Sequence, residues 1–207
     1  MMPTPGPMVY LASRSPRRQE LLRQLGVGFE ILKLREASGR QRDVIEIAHD
    51  GEPALHYVER IARTKAMVGA QQMVRRGLAP RPVLGADTEV VLDGEIFGKP
   101  RDDIDAARML TLLSGRTHDV LTAVAVSHEK EAFAEIAISA VTFRALSPDE
   151  IDRYVATGEP VGKAGAYAIQ GRAAAFANRL EGSYSGVMGL PLFETAAILA
   201  RVGVRVL

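Results

Sequence analysis

Two strands joined by a short turn limit the fold more than any other feature of this sequence. "HDVLTAVAVS", from His118, alternates as a strand should. "AFAEIAISAVTFRAL" continues the pattern after a turn at His128 to Glu131, so the two read as an antiparallel pair. Helical stripes and further strands alternate around this pair, which argues for an α/β class. Upstream, Val9-Tyr10-Leu11-Ala12 reads as a short buried strand. The helix after it has Ser15 as N-cap, Pro16 at the first position, a Leu21, Leu22, Leu25 stripe, and Gly26 as its stop. "FEILKL", from Phe29, is a strand candidate, and the polar segment from Arg35 to Gly51 reads as a loop. Leu55, Val58, Ile61, Ala62 and Ala66 then mark a second helix behind Pro53. "PVLGADTEVVLDGEIF" gives two strand segments turned at Asp93-Gly94. Asp102 caps a helix carried by Ile104, Ala107, Leu110 and Leu113. "SPDE" at Ser147 is a capping box, and Pro191 opens a last helix. The Gly- and Ala-rich stretch from Thr157 to Gly189 reads as functional loops and short strands.

The chain has 207 residues, enough for one domain over 9–207 behind a lead-in at 1–8, and no internal repeat divides it. A net charge of +1 gives no general attraction to nucleic acid or to an acidic membrane, so any basic function must be local. The absence of cysteine excludes disulfides, thiolate metal sites and a cysteine nucleophile. No apolar run approaches the roughly 20 residues that span a bilayer. The expectation is a cytoplasmic protein without nucleic-acid or membrane partners.

One such local basic cluster is "LASRSPRRQELL". Arg17 and Arg18 fall in the first helical turn, where the helix dipole disfavours cations. An anion bound there would use the free N–H groups and both guanidinium groups. A solvated basic turn accounts for this stretch equally well. In "GADTEVV", Asp87 at a strand end could bind a divalent cation or accept a proton from water, or it could be a turn-forming Asp. Lys99 in "GKP" and Lys65 in "RTKA" could meet phosphate or lie on solvated faces. "KAGAYAIQG" permits close backbone approach, and Gln170 offers a donor–acceptor amide suited to a base edge. The hydroxyls of "EGSYSGVMGLP" could serve a ligand or only backbone groups. There is no Walker-type loop, no G-x-G-x-x-G after a strand and no G-x-S-x-G elbow. His49, His56, His118 and His128 have no metal-ligand spacing and read as surface or loop residues.

Taken in order, "LASRSPRRQELL", "ARTKA", "GADTEVVLDGEIFGKPRD", "LSGRTHDVLTAVAV", "YVATGEPVGKAGAYAIQG" and "EGSYSGVMGLPLFET" resemble the Maf family of nucleoside-triphosphate pyrophosphatases. The resemblance runs from Val9 to Thr195. It implies a long bent mixed β-sheet flanked by helices, two lobes around a cleft similar to inosine-triphosphate pyrophosphatases, and a homodimer. It also implies hydrolysis of a nucleoside triphosphate to the monophosphate and pyrophosphate, with Mg²⁺ or Mn²⁺ as cofactor. Arg17, Thr88 and Gln170 match the family branch acting on dTTP and UTP. Carried over, Asp87 is the proton acceptor, Arg18, Lys65 and Lys99 line the phosphate path, and Ser13 and Ser15 add hydroxyl or backbone donors. Whether Asp87 acts as base or as metal ligand stays open. Of the family's acidic pair after the second strand only Glu36 has a match here, making it the second candidate metal ligand. Glu89 replaces a usual aliphatic residue and is expected to face solvent. The alternative function is a nucleotide-sensing regulator of septum formation without turnover.

Overall fold

The computed structural model describes residues 8–35 and 43–206. Glu36 lies outside the described residues. The chain begins with β1 (Met8–Leu11), α1 (Pro16–Gln24) and β2 (Gly28–Ile31), followed by α2 (Ala54–Arg75). Then come β3 (Val83–Leu92), β4 (Glu95–Phe97), α3 (Asp103–Leu113), β5 (Thr117–His128) and β6 (Glu131–Phe143). The chain ends with α4 (Pro148–Val155), β7 (Ala177–Glu181), α5 (Tyr184–Met188) and α6 (Leu192–Arg201). Single 3-10 turns at Ala164–Ala166 and Arg172–Ala175 interrupt the glycine-rich segment.

Local chemistry accounts for the boundaries. Ser15 accepts from the Arg18 amide at the start of α1, with Pro16 in the first turn. Asp102 caps α3 through the Asp105 amide, and Ser147 with Glu150 closes the capping box of α4. Asp93 and Gly94 both adopt positive φ, as a two-residue hairpin turn between β3 and β4 requires.

The sheet has seven strands in the order β2-β1-β3-β5-β6-β7, with β4 also on β3. β1 runs parallel to β2 and β3, while β3, β5, β6 and β7 are antiparallel neighbours. The architecture is therefore a mixed sheet flanked by helices, as the sequence leads one to expect. Along β3, pairing with β1 ends at Leu84 and pairing with β4 begins at Val90. Gly85 to Glu89 are thus paired to β5 alone, and one edge of β3 lies open there.

Two apolar cores flank this opening. One gathers Leu11, Leu22, Leu84 and Val126 with Ile198 of α6. The other gathers Val90, Phe97, Leu110, Phe143 and Tyr154 with Tyr167. Met188 packs against both. A smaller cluster joins Val58, Ala62 and Ala66 of α2 to Leu121, Ala123 and Ala125 of β5.

Candidate functional site

A cleft of about 390 Å³ wraps around the open edge of β3, a volume within the usual range for small-molecule sites. Ser13, Arg17, Arg18, Lys65, Asp87, Thr88, Lys99 and Gln170 all line it. The sequence separates these side chains by up to 157 positions, and the two cores bring them together.

Close helix–strand approach fixes the centre of the cleft. A Cβ on Gly85 would come within 2.6 Å of the Ala62 carbonyl oxygen and the Ala66 nitrogen, and 3.0 Å from Lys65 Cβ. Only glycine lets α2 lie this close to β3. That contact sets Lys65 over Asp87, with Nζ donating to Oδ1 at 2.8 Å. Strand alternation then puts Glu89 on the same face as Asp87.

Glu46 completes the cluster from the loop before α2. Its Oε1 lies 2.6 Å from Lys65 Nζ and its Oε2 3.3 Å from Lys99 Nζ. Burial works against its charge, but the two lysines outweigh burial and hold its carboxyl down at about 2. Sequence reasoning missed this residue. It lies in a non-periodic stretch, and its only signal is an acid between Ile45 and Ile47.

Glu89 corrects a second expectation. It lines the cleft rather than facing bulk solvent, and its Oε2 is buried with no hydrogen-bond partner among the described residues. Burial first, and the Asp87 charge second, push its carboxyl up to about 8. The strand rule assigned Glu89 correctly to the face opposite Val90, but that face is the cleft wall.

On the other face of β3, the Thr88 hydroxyl accepts from Arg18 Nη2 at 3.3 Å and from Thr122 Oγ1 at 3.1 Å. Arg18 also donates from Nε to the Gly189 carbonyl at 2.8 Å and from Nη1 to Ser13 Oγ at 3.4 Å. Arg18 thus ties α1 to β3 and to the end of α5 while its guanidinium lines the cleft. Burial lowers its pKa, partly offset by Asp87 and Glu46. Arg17 is half-buried and has no carboxylate partner among the described residues. Burial lowers its pKa too.

The glycine-rich segment closes the far wall. Gly165, at φ +66°, backs onto Val90, whose Cγ2 a Cβ would meet at 2.7 Å. The segment brings Lys163, Tyr167 and Gln170 to the cleft. Tyr167 is anchored by His118, whose Nε2 lies 2.9 Å from the tyrosine hydroxyl. His118 is therefore no surface residue: it is 2% exposed, and burial pushes its pKa down to about 4. Ser183 and Ser185 serve the backbone, accepting from the amides of Gly186 and Leu192.

The donor set fits a hard divalent cation. Asp87 Oδ2 is buried without a hydrogen-bond partner among the described residues, and anionic oxygen is the ligand type that Mg²⁺ and Mn²⁺ take. No group of three or more His, Asp or Glu among the described residues is arranged to hold a metal. A site of few carboxylates, completed by phosphate and water, is the usual arrangement for Mg²⁺. No helix among the described residues is long and apolar enough to cross a membrane.

A family model described as Maf-like protein matches residues 8–202. The dTTP/UTP pyrophosphatase of Aromatoleum aromaticum is 57% identical over 196 residues, 94% of this chain and 95% of its own. That of Nitrosospira multiformis is 56% identical over 198 residues, 96% of each chain. That of Cupriavidus metallidurans is 54% identical over 198 residues, 96% of this chain and 98% of its own. Among solved structures, the Staphylococcus aureus Ham1 protein is similar with a TM-score of 0.40 at 10% identity, over 66% of this chain and 71% of that one.

Proposed function

Because this chain belongs to the family of Maf-like proteins, we propose that it hydrolyses nucleoside triphosphates to the monophosphate and pyrophosphate, with dTTP and UTP preferred. Relatives at 54–57% identity that carry the name dTTP/UTP pyrophosphatase support the reading. The observation that carries it is the Asp87 carboxylate, held through Oδ1 by Lys65 and free at Oδ2, in a cleft lined with cations.

The chemistry follows from charge and position. A triphosphate carries about four negative charges, so its hydrolysis depends mainly on neutralisation and alignment. Lys65, Lys99, Arg17 and Arg18 supply positive charge along the cleft. As the anhydride bond between the first and second phosphates breaks and pyrophosphate leaves, the anionic Oδ2 of Asp87 serves in one of two ways: as acceptor of the attacking water's proton or as ligand of the divalent cation. Lys65 holds the carboxylate in place meanwhile. Asp87 would hold Mg²⁺ or Mn²⁺, which would supply further neutralisation of the phosphate oxygens. Gln170 presents an amide donor and acceptor that match the adjacent carbonyl and N3–H of thymine or uracil. Arg17 and Thr88 are the other residues of the cleft that carry the dTTP/UTP assignment.

The test is a panel of dTTP, UTP, CTP, ATP and GTP with Mg²⁺ or Mn²⁺, reading released pyrophosphate. dTTP and UTP should exceed the other three, and no release from any of the five would refute the reading. The alternative, a nucleotide-sensing regulator of septum formation, would bind these nucleotides without turnover. Having both Asp87 and Lys99 in one cleft weighs against it. A homodimer belongs to the same proposal. Exposed Ile138, Tyr184 and Phe193 offer apolar surface for one, and light scattering on the purified chain tests it.

A further inference from the structure

We propose that Glu89 is a direct ligand of the divalent cation, forming with Asp87 a two-carboxylate seat on one face of β3. The inference rests on the proposed function only for the polyphosphate that completes the shell.

Three carboxylates meet in the cleft, and hydrogen bonding distinguishes them. Glu46 has both oxygens occupied, by Lys65 and by Lys99. Asp87 has one oxygen on Lys65 and the other, Oδ2, buried without a partner, in a residue only 6% exposed. The buried Oε2 of Glu89 likewise has no donor among the described residues. The two unsatisfied buried oxygens of the cluster therefore sit two residues apart on one strand. Strand rise separates their Cα atoms by about 7 Å, a span that Asp and Glu side chains can bridge through one ion.

Among the described residues no side chain donates to the free oxygens of Asp87 and Glu89. Lys65 and Lys99 are already engaged by Glu46, and Gly98 stands opposite Glu89 with no side chain, its ideal Cβ 4.0 Å from Oε2. A buried carboxylate without a donor is costly to fold around. It persists where it is used, and a cation that accepts hard oxygen is a ligand it can take. Two protein carboxylates, with phosphate oxygens and water filling the other positions, describe a Mg²⁺ or Mn²⁺ site.

Glu89→Gln keeps the shape and removes the anionic oxygen. The full chain, stripped of metal by chelator, is titrated with Mn²⁺ while free Mn²⁺ is followed by electron paramagnetic resonance. Urea unfolding is measured on the same samples. Loss of a group that only hydrogen-bonds a metal ligand costs about 10–100-fold in metal affinity, so loss of a direct ligand should cost at least about tenfold. The urea midpoint of the metal-free variant should be unchanged, because an amide of the same shape replaces a carboxyl that has no partner among the described residues. A merely structural glutamate would give the opposite pair of results. Mn²⁺ affinity within about twofold of wild type overturns the proposal, and so does a variant that fails to fold. Pyrophosphate release by the wild type is scored separately. A protein that binds Mn²⁺ through Glu89 but hydrolyses nothing would sink the proposed function and leave this site standing.

Discussion

Replacing His118 by phenylalanine tests whether the fold keeps a neutral imidazole in its core. The ring lies edge-on to Phe143 and Tyr167, with centroids 4.9 and 5.5 Å away, and its Nδ1 is buried without a partner among the described residues. Burial depresses its pKa from 6.5 to about 4. As pH falls, the unfolded chain therefore takes up the proton first. The stabilising contribution is complete above about 6.5 and is lost as pH drops towards the folded value. Integrated from about pH 7 to about pH 5, the loss is about 2 kcal/mol. Glu89 acts in the other direction. Its raised pKa makes the folded state bind a proton first, so its contribution grows as pH falls below about 8. Glu46 and Asp105, held down at about 2, lose their contribution only below the ordinary carboxylate range. The wild-type curve mixes these slopes, and the informative quantity is the difference between wild type and His118→Phe. Phenylalanine cannot titrate, and at neutral pH it leaves the Tyr167 hydroxyl unpaired, a loss of about 1–3 kcal/mol. Urea unfolding in chelator at several pH values should show the wild-type advantage shrinking by about 2 kcal/mol on acidification. A difference constant to within about 0.5 kcal/mol would refute the argument, because that error is the size of the extrapolation uncertainty.

Three further outcomes are expected. Asp87→Asn should fold and lose about 10²–10⁴ in turnover, since it removes the anionic oxygen at nearly constant volume; near-full activity in the pyrophosphate assay would make Asp87 structural. Gly85→Ala should lower the urea midpoint by the equivalent of about 2 kcal/mol or more and impair turnover, because its methyl meets backbone atoms of α2 at 2.6 Å; wild-type stability would mean that α2 yields freely. Gln170→Ala should narrow the preference for dTTP and UTP over CTP, read as the ratio of kcat/KM values; an unchanged ratio would move base selection to the backbone of the glycine-rich segment.

Local signals carried most of the fold. Ser15, Asp102 and Ser147 each cap the helix their residue type suggested, and the Asp93-Gly94 turn joins the strands it should. These features depend on neighbours a few positions away, and sequence records such neighbours directly. The residues that were misjudged depend on distant ones. Glu46 has no periodic context, and only the packing of α2 and the Lys99 loop turns it into a partner for two lysines. Glu89 obeys strand alternation, but alternation cannot say that its face borders a cleft. His118 alternates inward with Val120, and only the return of Tyr167 across that position makes it a core residue. The family motifs bring Asp87, Lys65, Lys99 and Gln170 into one cleft, whereas Glu36 falls outside the described residues.

The strands that border the cleft also run through both of its walls. β3 contributes Leu84 and Ala86 to one core and Val90 and Leu92 to the other. β5 does the same with Val126 and Val124 on one side and Val120 on the other. Domain closure ordinarily concentrates its dihedral changes in a few loop or terminal residues. Here the two walls are joined through continuous, mutually paired strands, so rocking one against the other would strain the β3–β5 ladder from Val83 to Val91. The cleft is consequently rigid along this axis, and its charges are aimed before a ligand arrives. Little reorganisation is then required at the moment of reaction, which is the condition under which fixed dipoles and charges act most strongly on a transition state.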